Sequence, residues 1–121
     1  MGGIPLGNSN IIPGVDAKTL HRSHELSGNR SIKKVAEMAE EMRQGTYSAP
    51  PIDVVAHNGQ YYIIDGHHRA AAARRTDTAV DIKTWSEQEL ASHTSSYKSI
   101  EEVVRDAQFA RPDRLINKYR N

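Results

Sequence analysis

Residues 61–73 read YYIIDGHHRAAAA, and this stretch decides the fold. Its first four residues are aromatic or β-branched and predict a strand. The alanine run has high helix propensity and predicts a helix from His67 to Arg75. Gly66 permits a sharp turn between the two elements. The polar motif Asp65-Gly66-His67-His68-Arg69 is therefore expected at a strand-to-helix junction.

A β-hairpin is predicted immediately before this junction. The segment Ile52–Ala56 is rich in apolar and β-branched residues and predicts a first strand, with Tyr61–Ile64 as the second. Asn58-Gly59 between them is typical of a type I′ turn, because both residues tolerate positive φ. The two strands should therefore pair antiparallel and lead into the motif.

Further elements surround this hairpin. Apolar residues recur at helical spacing after Ser31, a candidate N-cap, and Gly45 is a candidate stop. Val80–Trp85 predicts another strand, and the Ser and Glu spacing after Ser86 and Ser99 is typical of capping boxes. The expected fold class is α+β (α/β), with a short mixed sheet, a β-hairpin and flanking helices.

The length of 121 residues suits a single domain. Residues 1–14 hold four glycines, two prolines and two asparagines, a composition that favours turns and extended backbone. We therefore expect a flexible N-terminal arm or linker at 1–14 and one domain at 15–121.

Composition excludes several classes of function. The chain has no cysteine, so thiolate nucleophiles, disulfides and thiolate metal sites are absent. A net charge of +1 gives no strong overall field for nucleic acid, so such binding would need a local basic surface. No run approaches the roughly 18 apolar residues of a membrane span, and a soluble protein without a membrane partner is expected.

The motif has the residue types of a phosphate site. Gly66 allows a ligand to approach the backbone closely, and the first N–H groups of the following helix favour an anion. Arg69 adds a planar fork suited to phosphate oxygens. His67 and His68 could donate hydrogen bonds or move protons, and Asp65 could act as base, metal ligand or cap. The alternative is a helix start with Asp65 as cap and solvated first-turn side chains.

The helix after Ser31, Pro51-Ile52-Asp53-Val54, Tyr61–Ile64 and the motif through Ala70 together resemble the core of the ParB/sulfiredoxin superfamily, over about half of the chain. Members bind nucleotide phosphates at the corresponding turn, which usually reads Gly-Glu-Arg-Arg in ParB proteins and Gly-Cys-His-Arg in sulfiredoxins. His67 stands where sulfiredoxin has its catalytic cysteine, so sulfinic-acid reduction is not expected. The Asp-Gly-His-His-Arg form is similar to ParB-like nucleases and to the free serine kinase branch.

The resemblance also implies further site residues. Arg22 and His24 precede the first helix where ParB-like domains contact phosphate, and Arg30 has a weaker claim. Arg74 could extend a phosphate track along a nucleic-acid backbone, although such residues are often simply solvated. Mg²⁺ is the one cofactor expected, held by a carboxylate among Asp65, Asp53 and Glu25, with no haem or flavin.

These expectations give three functional hypotheses. The first is a ParB-like nuclease, with DNA as the favoured substrate. It would be the C-terminal toxin domain of a bacterial effector in interbacterial competition, acting in the target-cell cytoplasm and inhibited by a cognate immunity protein. The alternatives are an ATP/ADP-dependent phosphotransferase of the free serine kinase type and a non-catalytic nucleotide- or DNA-binding module, either of them cytoplasmic. The catalytic candidates are Asp65, His67, His68 and Arg69, and the phosphate-binding candidates are Gly66, Arg22, His24, Arg30 and Arg74.

Overall fold

The structure is a computed structural model that describes residues 10–48, 50–90, 92 and 97–115. This part of the chain forms five strands and four α-helices, with a 3₁₀ turn at Ala17–Thr19. The strands are β1 (Ile11–Asp16), β2 (Leu20–His21), β3 (Ile52–His57), β4 (Gln60–Asp65) and β5 (Ala79–Thr84). The helices are α1 (Asn29–Gln44), α2 (His67–Thr76), α3 (Glu87–Leu90) and α4 (Ile100–Phe109).

The strands form one mixed sheet in the order β1-β5-β3-β4-β2. β3 and β4 pair antiparallel, β3 pairs parallel with β5, and β2 pairs parallel with β4. The hairpin turn has positive φ at both Asn58 (51°) and Gly59 (77°), as a type I′ turn requires. The expected fold class, the hairpin and the strand-to-helix junction are therefore confirmed.

Helices cover both faces of the sheet, because side chains of a strand alternate between its faces. Val54 and Ile63 pack into the larger buried cluster with α1 and α2, whereas Val55 and Ile64 pack against Leu90 and Val103 of α3 and α4. The alanines of α2 at positions 70–73 are all buried, so small side chains let this helix lie close to α1 and the sheet. The result is a three-layer arrangement with the motif at one end.

The expected arm at residues 1–14 is wrong for residues 11–14, which belong to β1. This strand pairs antiparallel with β5, and Asn10 Nδ2 donates to Thr84 O at 2.7 Å. Pro13-Gly14 lies where the register shifts between Ile12 and Val15, a position where an edge strand tolerates proline. Residues 1–9 lie outside the described residues.

Two helix starts also bear on the predictions. α1 begins at Asn29 with Gly28 as N-cap, three residues before the predicted N-cap Ser31. The predicted capping box at Ser99 is confirmed, because Glu102 N donates to Ser99 Oγ and the Glu102 carboxylate accepts from Ser99 N. The capping-box spacing at Ser86 predicts a helix through Ala91; α3 is described as far as Leu90, and Ala91 falls outside the described residues. No helix among those described is long and apolar enough to cross a membrane.

Candidate functional site

A cavity of about 340 Å³ lies at the N-terminus of α2. Residues 64–69 line one side, Lys34 and Met38 of α1 line another, and His24 closes the rim. The structure therefore brings together most of the predicted site: all five motif residues and His24. Three other candidates, Arg22, Arg30 and Arg74, are not among its lining residues.

Gly66 makes the turn that starts α2. It is buried with φ +106°, and a Cβ placed there would meet Arg69 Nη2 at 3.0 Å and Ile52 Cγ2 at 3.2 Å. Gly66 is the N-cap of α2, so it offers no side chain to the first-turn amides, and the first helical hydrogen bond runs from Ala70 N to Gly66 O. The alternative interpretation of Asp65 as the cap is therefore wrong. The N–H groups of residues 67–69 lack helical acceptors and favour an anion in the cavity.

Lys34 adds a positive charge that sequence reasoning missed. Its exposed side chain lines the cavity across from the start of α2. Ser31, the candidate N-cap, lies three residues earlier on the same helix face, with Oγ 2.9 Å from His68 Nε2. The i, i+3 spacing of Ser31 and Lys34 was the one signal in the sequence that could have indicated this surface.

His67 is buried and anchors a loop. The backbone N–H of Ser23 donates to His67 Nε2 at 3.1 Å, so this nitrogen carries the lone pair and the ring proton belongs to Nδ1. Ser23 Oγ donates to Ile63 O at 2.7 Å, and the His24 ring packs on the His67 ring with centroids 3.8 Å apart. Burial, reinforced by the neighbouring His24 and Arg74, lowers the pKa of His67 to about 3. The geometry favours an anchoring role over the predicted proton transfer.

His68 is the better-placed base. It is half-buried, and burial together with the nearby Lys34 and His24 lowers its pKa, while Asp113 opposes this shift. His68 is therefore neutral at neutral pH and free to accept a proton. Asp65 is the exposed carboxylate at the cavity.

Part of the Arg69 guanidinium group forms hydrogen bonds that stabilise the fold. Its Nη1 donates to the carbonyl oxygens of Pro50 (2.6 Å) and Pro51 (3.1 Å), which holds the segment before β3 against α2. The same side chain lines a second cavity of about 300 Å³ that also contains Met42 and Tyr47. Tyr47 Oη is buried there without a hydrogen-bond partner among the described residues, and burial raises the pKa of this phenol. Arg69 is thus a lining residue that the two cavities share.

The predicted basic track is interrupted by a carboxylate. Asp113 lies 3.0 Å from Arg74 Nη2 and 3.4 Å from Arg22 Nε. Arg30 lies exposed in the first turn of α1. No sequence signal linked Asp113 to these arginines, because the contact joins distant parts of the chain.

The carboxylates predicted to hold a metal are dispersed. Asp53 accepts a hydrogen bond from Trp85 Nε1 at 3.0 Å, and Glu25 accepts one from Arg114 Nε at 2.9 Å. No group of three histidine, aspartate or glutamate side chains is arranged around a common point within the described ranges. Among the described residues, Asp65 is the one carboxylate that lines the cavity, which suits the way Mg²⁺ is often held by one carboxylate, phosphate oxygens and waters.

Known proteins share this architecture. The family model described as the ParB N-terminal domain matches residues 7–101. The crystal structure of sulfiredoxin from Arabidopsis thaliana aligns with a TM-score of 0.49 and 24% identity, covering 69% of this chain and 94% of that chain. SbnI from Staphylococcus aureus, with a C-terminal truncation, aligns with a TM-score of 0.55 and 18% identity, covering 73% of this chain and 34% of SbnI. This chain therefore spans about a third of that structure, and the likeness is one of fold. No curated protein sequence matches the chain.

The anchoring role of His67 predicts a specific pH dependence. Its pKa of about 3 in the fold lies below the value of 6.5 expected when unfolded, so its stabilising contribution is complete above pH 6.5 and is lost as the pH falls toward 3. We expect this group to lower the free energy of unfolding by about 4 kcal/mol between pH 7 and pH 3.5, at about 1.4 kcal/mol for each pH unit below 6.5. Chemical denaturation of wild type and His67→Gln between pH 3.5 and about 7.5 should show the steeper loss in wild type.

Ser23→Ala is the matched control, because it keeps the backbone N–H that donates to His67. Its pH dependence should follow that of wild type. An imidazole resonance of His67 that titrates with a midpoint near 6.5 would contradict the assignment.

Proposed function

This chain belongs to the ParB N-terminal domain family, and we propose that it binds the phosphate groups of a nucleotide at the N-terminus of α2 and catalyses a reaction at phosphorus. One observation carries the proposal. The Lys34 ammonium, the uncapped amides of α2 and the neutral base His68 line or adjoin a single cavity. Electrostatic stabilisation and a correctly placed base are what phosphoryl reactions require of a protein.

The shape of the surface supports a mononucleotide. The two cavities, of about 340 and 300 Å³, share Arg69, and each has the size of a small-molecule site. Lys34, Met38 and Met42 succeed each other at intervals of four residues along α1, so they follow one face of the helix from the first cavity to the second. Phosphates would lie at Lys34, and the nucleoside would extend over Met38 toward the buried hydroxyl of Tyr47.

Each residue then has a defined task. The α2 amides and Lys34 hold the phosphate, and Arg69 holds Pro50 and Pro51 in place beside the second cavity. In the tautomer whose Nε2–H donates to Ser31 Oγ, Nδ1 of His68 accepts the proton of the hydroxyl or water that attacks the terminal phosphorus. The bond from that phosphorus to the bridging oxygen breaks, and the nucleoside diphosphate leaves with the bond's electron pair. Asp65 would hold Mg²⁺ against the phosphate oxygens, where the ion supplies charge neutralisation.

Nucleic-acid cleavage is the second candidate and would use the same base. His24 and Asp65 are exposed at the cavity, so a phosphodiester could lie across this rim with both ends in solvent. For this second candidate, DNA is the favoured substrate. The domain would then act as the toxin of a bacterial effector that a cognate immunity protein inhibits. The engagement of Arg22 and Arg74 by Asp113 removes two cations from the track that a polymer would need, which favours the nucleotide.

Substitution of Lys34 tests the binding step. Lys34→Gln should weaken binding of ATP roughly 10- to 100-fold in isothermal titration calorimetry, because a charge-assisted contact to phosphate is lost. Lys33→Gln is the matched control, since Lys33 is the neighbouring exposed lysine and does not line the cavity. An equal loss in the two variants would show that only general charge matters and would contradict the site.

Substitution of His68 tests the chemical step. Wild type, His68→Ala and Lys33→Gln would be incubated with Mg²⁺ and, separately, ATP, plasmid DNA and total RNA. His68→Ala should lose about 10²- to 10⁴-fold in rate. Since the pKa of His68 lies below 6.5, the wild-type rate should rise with pH through that acidic pKa and reach a plateau by neutral pH.

The substrates separate the candidates. Turnover of ATP without nucleic-acid cleavage supports phosphoryl transfer or nucleotide hydrolysis, and motif-dependent cleavage of DNA or RNA supports the nuclease. Binding of ATP that depends on Lys34, with no turnover of any substrate, would contradict catalysis and leave the non-catalytic module.

A further inference from the structure

The segment 110–115, here called the C-terminal strap, lies against the loop that follows β2. Arg114 N donates to Leu26 O at 2.7 Å, and Ser27 and Arg114 form a parallel bridge. Arg114 Nε also donates to Glu25 Oε2 at 2.9 Å, and Leu115 packs against the larger buried cluster. The strap therefore holds in place the loop that carries Ser23 and His24.

The strap inserts one carboxylate between two guanidinium groups. Asp113 Oδ2 accepts from Arg74 Nη2 at 3.0 Å, and Asp113 Oδ1 accepts from Leu26 N at 2.9 Å with Arg22 Nε 3.4 Å away. The Asp113 side chain is 9% exposed and that of Arg74 is 17% exposed. The Arg22 side chain is 29% exposed. Two half-buried cations and a backbone amide thus converge on a single anion, an arrangement that is costly unless an anion is present.

Asp113 does not accept hydrogen bonds from all of the N–H groups that surround it. Arg22 Nε and Arg74 Nη1 are both buried and have no hydrogen-bond acceptor among the described residues. A carboxylate is planar and has two oxygens, whereas a phosphate group is tetrahedral, has more terminal oxygens and carries more charge. A phosphate group would therefore satisfy these donors better than the residue that now occupies them.

We propose that Arg22, Arg74 and the Leu26 amide form a second anion site, specific for a phosphate group, in which Asp113 is an intramolecular occupant that a phosphate displaces together with the strap. Displacement breaks the hydrogen bond from Arg114 N to Leu26 O. The loop after β2, whose His24 lines the first cavity, is then no longer held by the strap. Because the two equilibria are linked, a docked strap lowers the affinity for phosphate by the same factor by which bound phosphate lowers the equilibrium constant for strap docking. The site does not depend on the proposed function, because Arg22 and Arg74 are absent from the residues described as lining the first cavity.

Amide hydrogen exchange of the wild-type protein tests the displacement directly. Sodium pyrophosphate is the probe, with sodium chloride at the same ionic strength as control. Exchange at Arg114 should accelerate by roughly tenfold or more, because its acceptor moves away, whereas Leu26 should stay protected because phosphate replaces Asp113 as its acceptor. Unchanged exchange at Arg114, or acceleration at both amides together, would overturn the proposal.

Variants separate this site from the first one. In a Lys34→Gln background, which weakens the first cavity, Asp113→Asn should raise the affinity for pyrophosphate about tenfold, since it removes a competing charge and keeps an acceptor for Leu26 N. Arg74→Gln in the same background should abolish the pyrophosphate effect on Arg114 exchange. If Asp113→Asn leaves the affinity for pyrophosphate unchanged, the second site is overturned. This outcome would not affect the first site, which is tested separately by the effect of Lys34→Gln on ATP binding.

Discussion

The backbone at Gly66 is the constraint on which the rest of the site depends. With φ at +106° and no Cβ, this residue lets β4 turn directly into α2 while Arg69 and Ile52 pack against the same point. Any side chain would push on the Arg69 guanidinium, which is tied to the carbonyls of Pro50 and Pro51. One left-handed glycine therefore fixes the start of the helix, the position of the segment before β3 and the floor of the cavity.

Some residues of the motif stabilise the fold, and others are available to a ligand. His67 and Arg69 form hydrogen bonds that hold neighbouring segments, the first to Ser23 and the second to Pro50 and Pro51. Asp65, His68 and the backbone amides stay available to a ligand, and Lys34 of α1 completes the charge around them. The preference for a nucleotide over a polymer follows from the contacts of Asp113 with Arg22 and Arg74, because they remove two cations from the basic surface that a polymer would need.

The sequence predicted the elements that local interactions determine. The hairpin at Asn58-Gly59, the helix formed by the alanine run and the capping box at Ser99 follow from turn geometry, helix propensity and side-chain hydrogen bonds within a few residues. β1 was missed because Pro13-Gly14 interrupts its apolar pattern, and its partner β5 lies far along the chain. Asp113 was missed as the partner of Arg22 and Arg74 for the same reason, since no local pattern reports a contact between distant segments. Lys34 was missed because an exposed lysine on a helix is ordinarily solvated.

The most direct test of the account is a ¹H–¹⁵N correlation spectrum of the protein titrated with ATP. We expect the largest saturable shifts at the backbone amides of His67, His68 and Arg69, because these N–H groups precede the first helical hydrogen bond of α2 and would bind the phosphate. Shifts confined to other elements, such as β1, with these three amides unmoved at saturation, would contradict the claim that the start of α2 is the phosphate site.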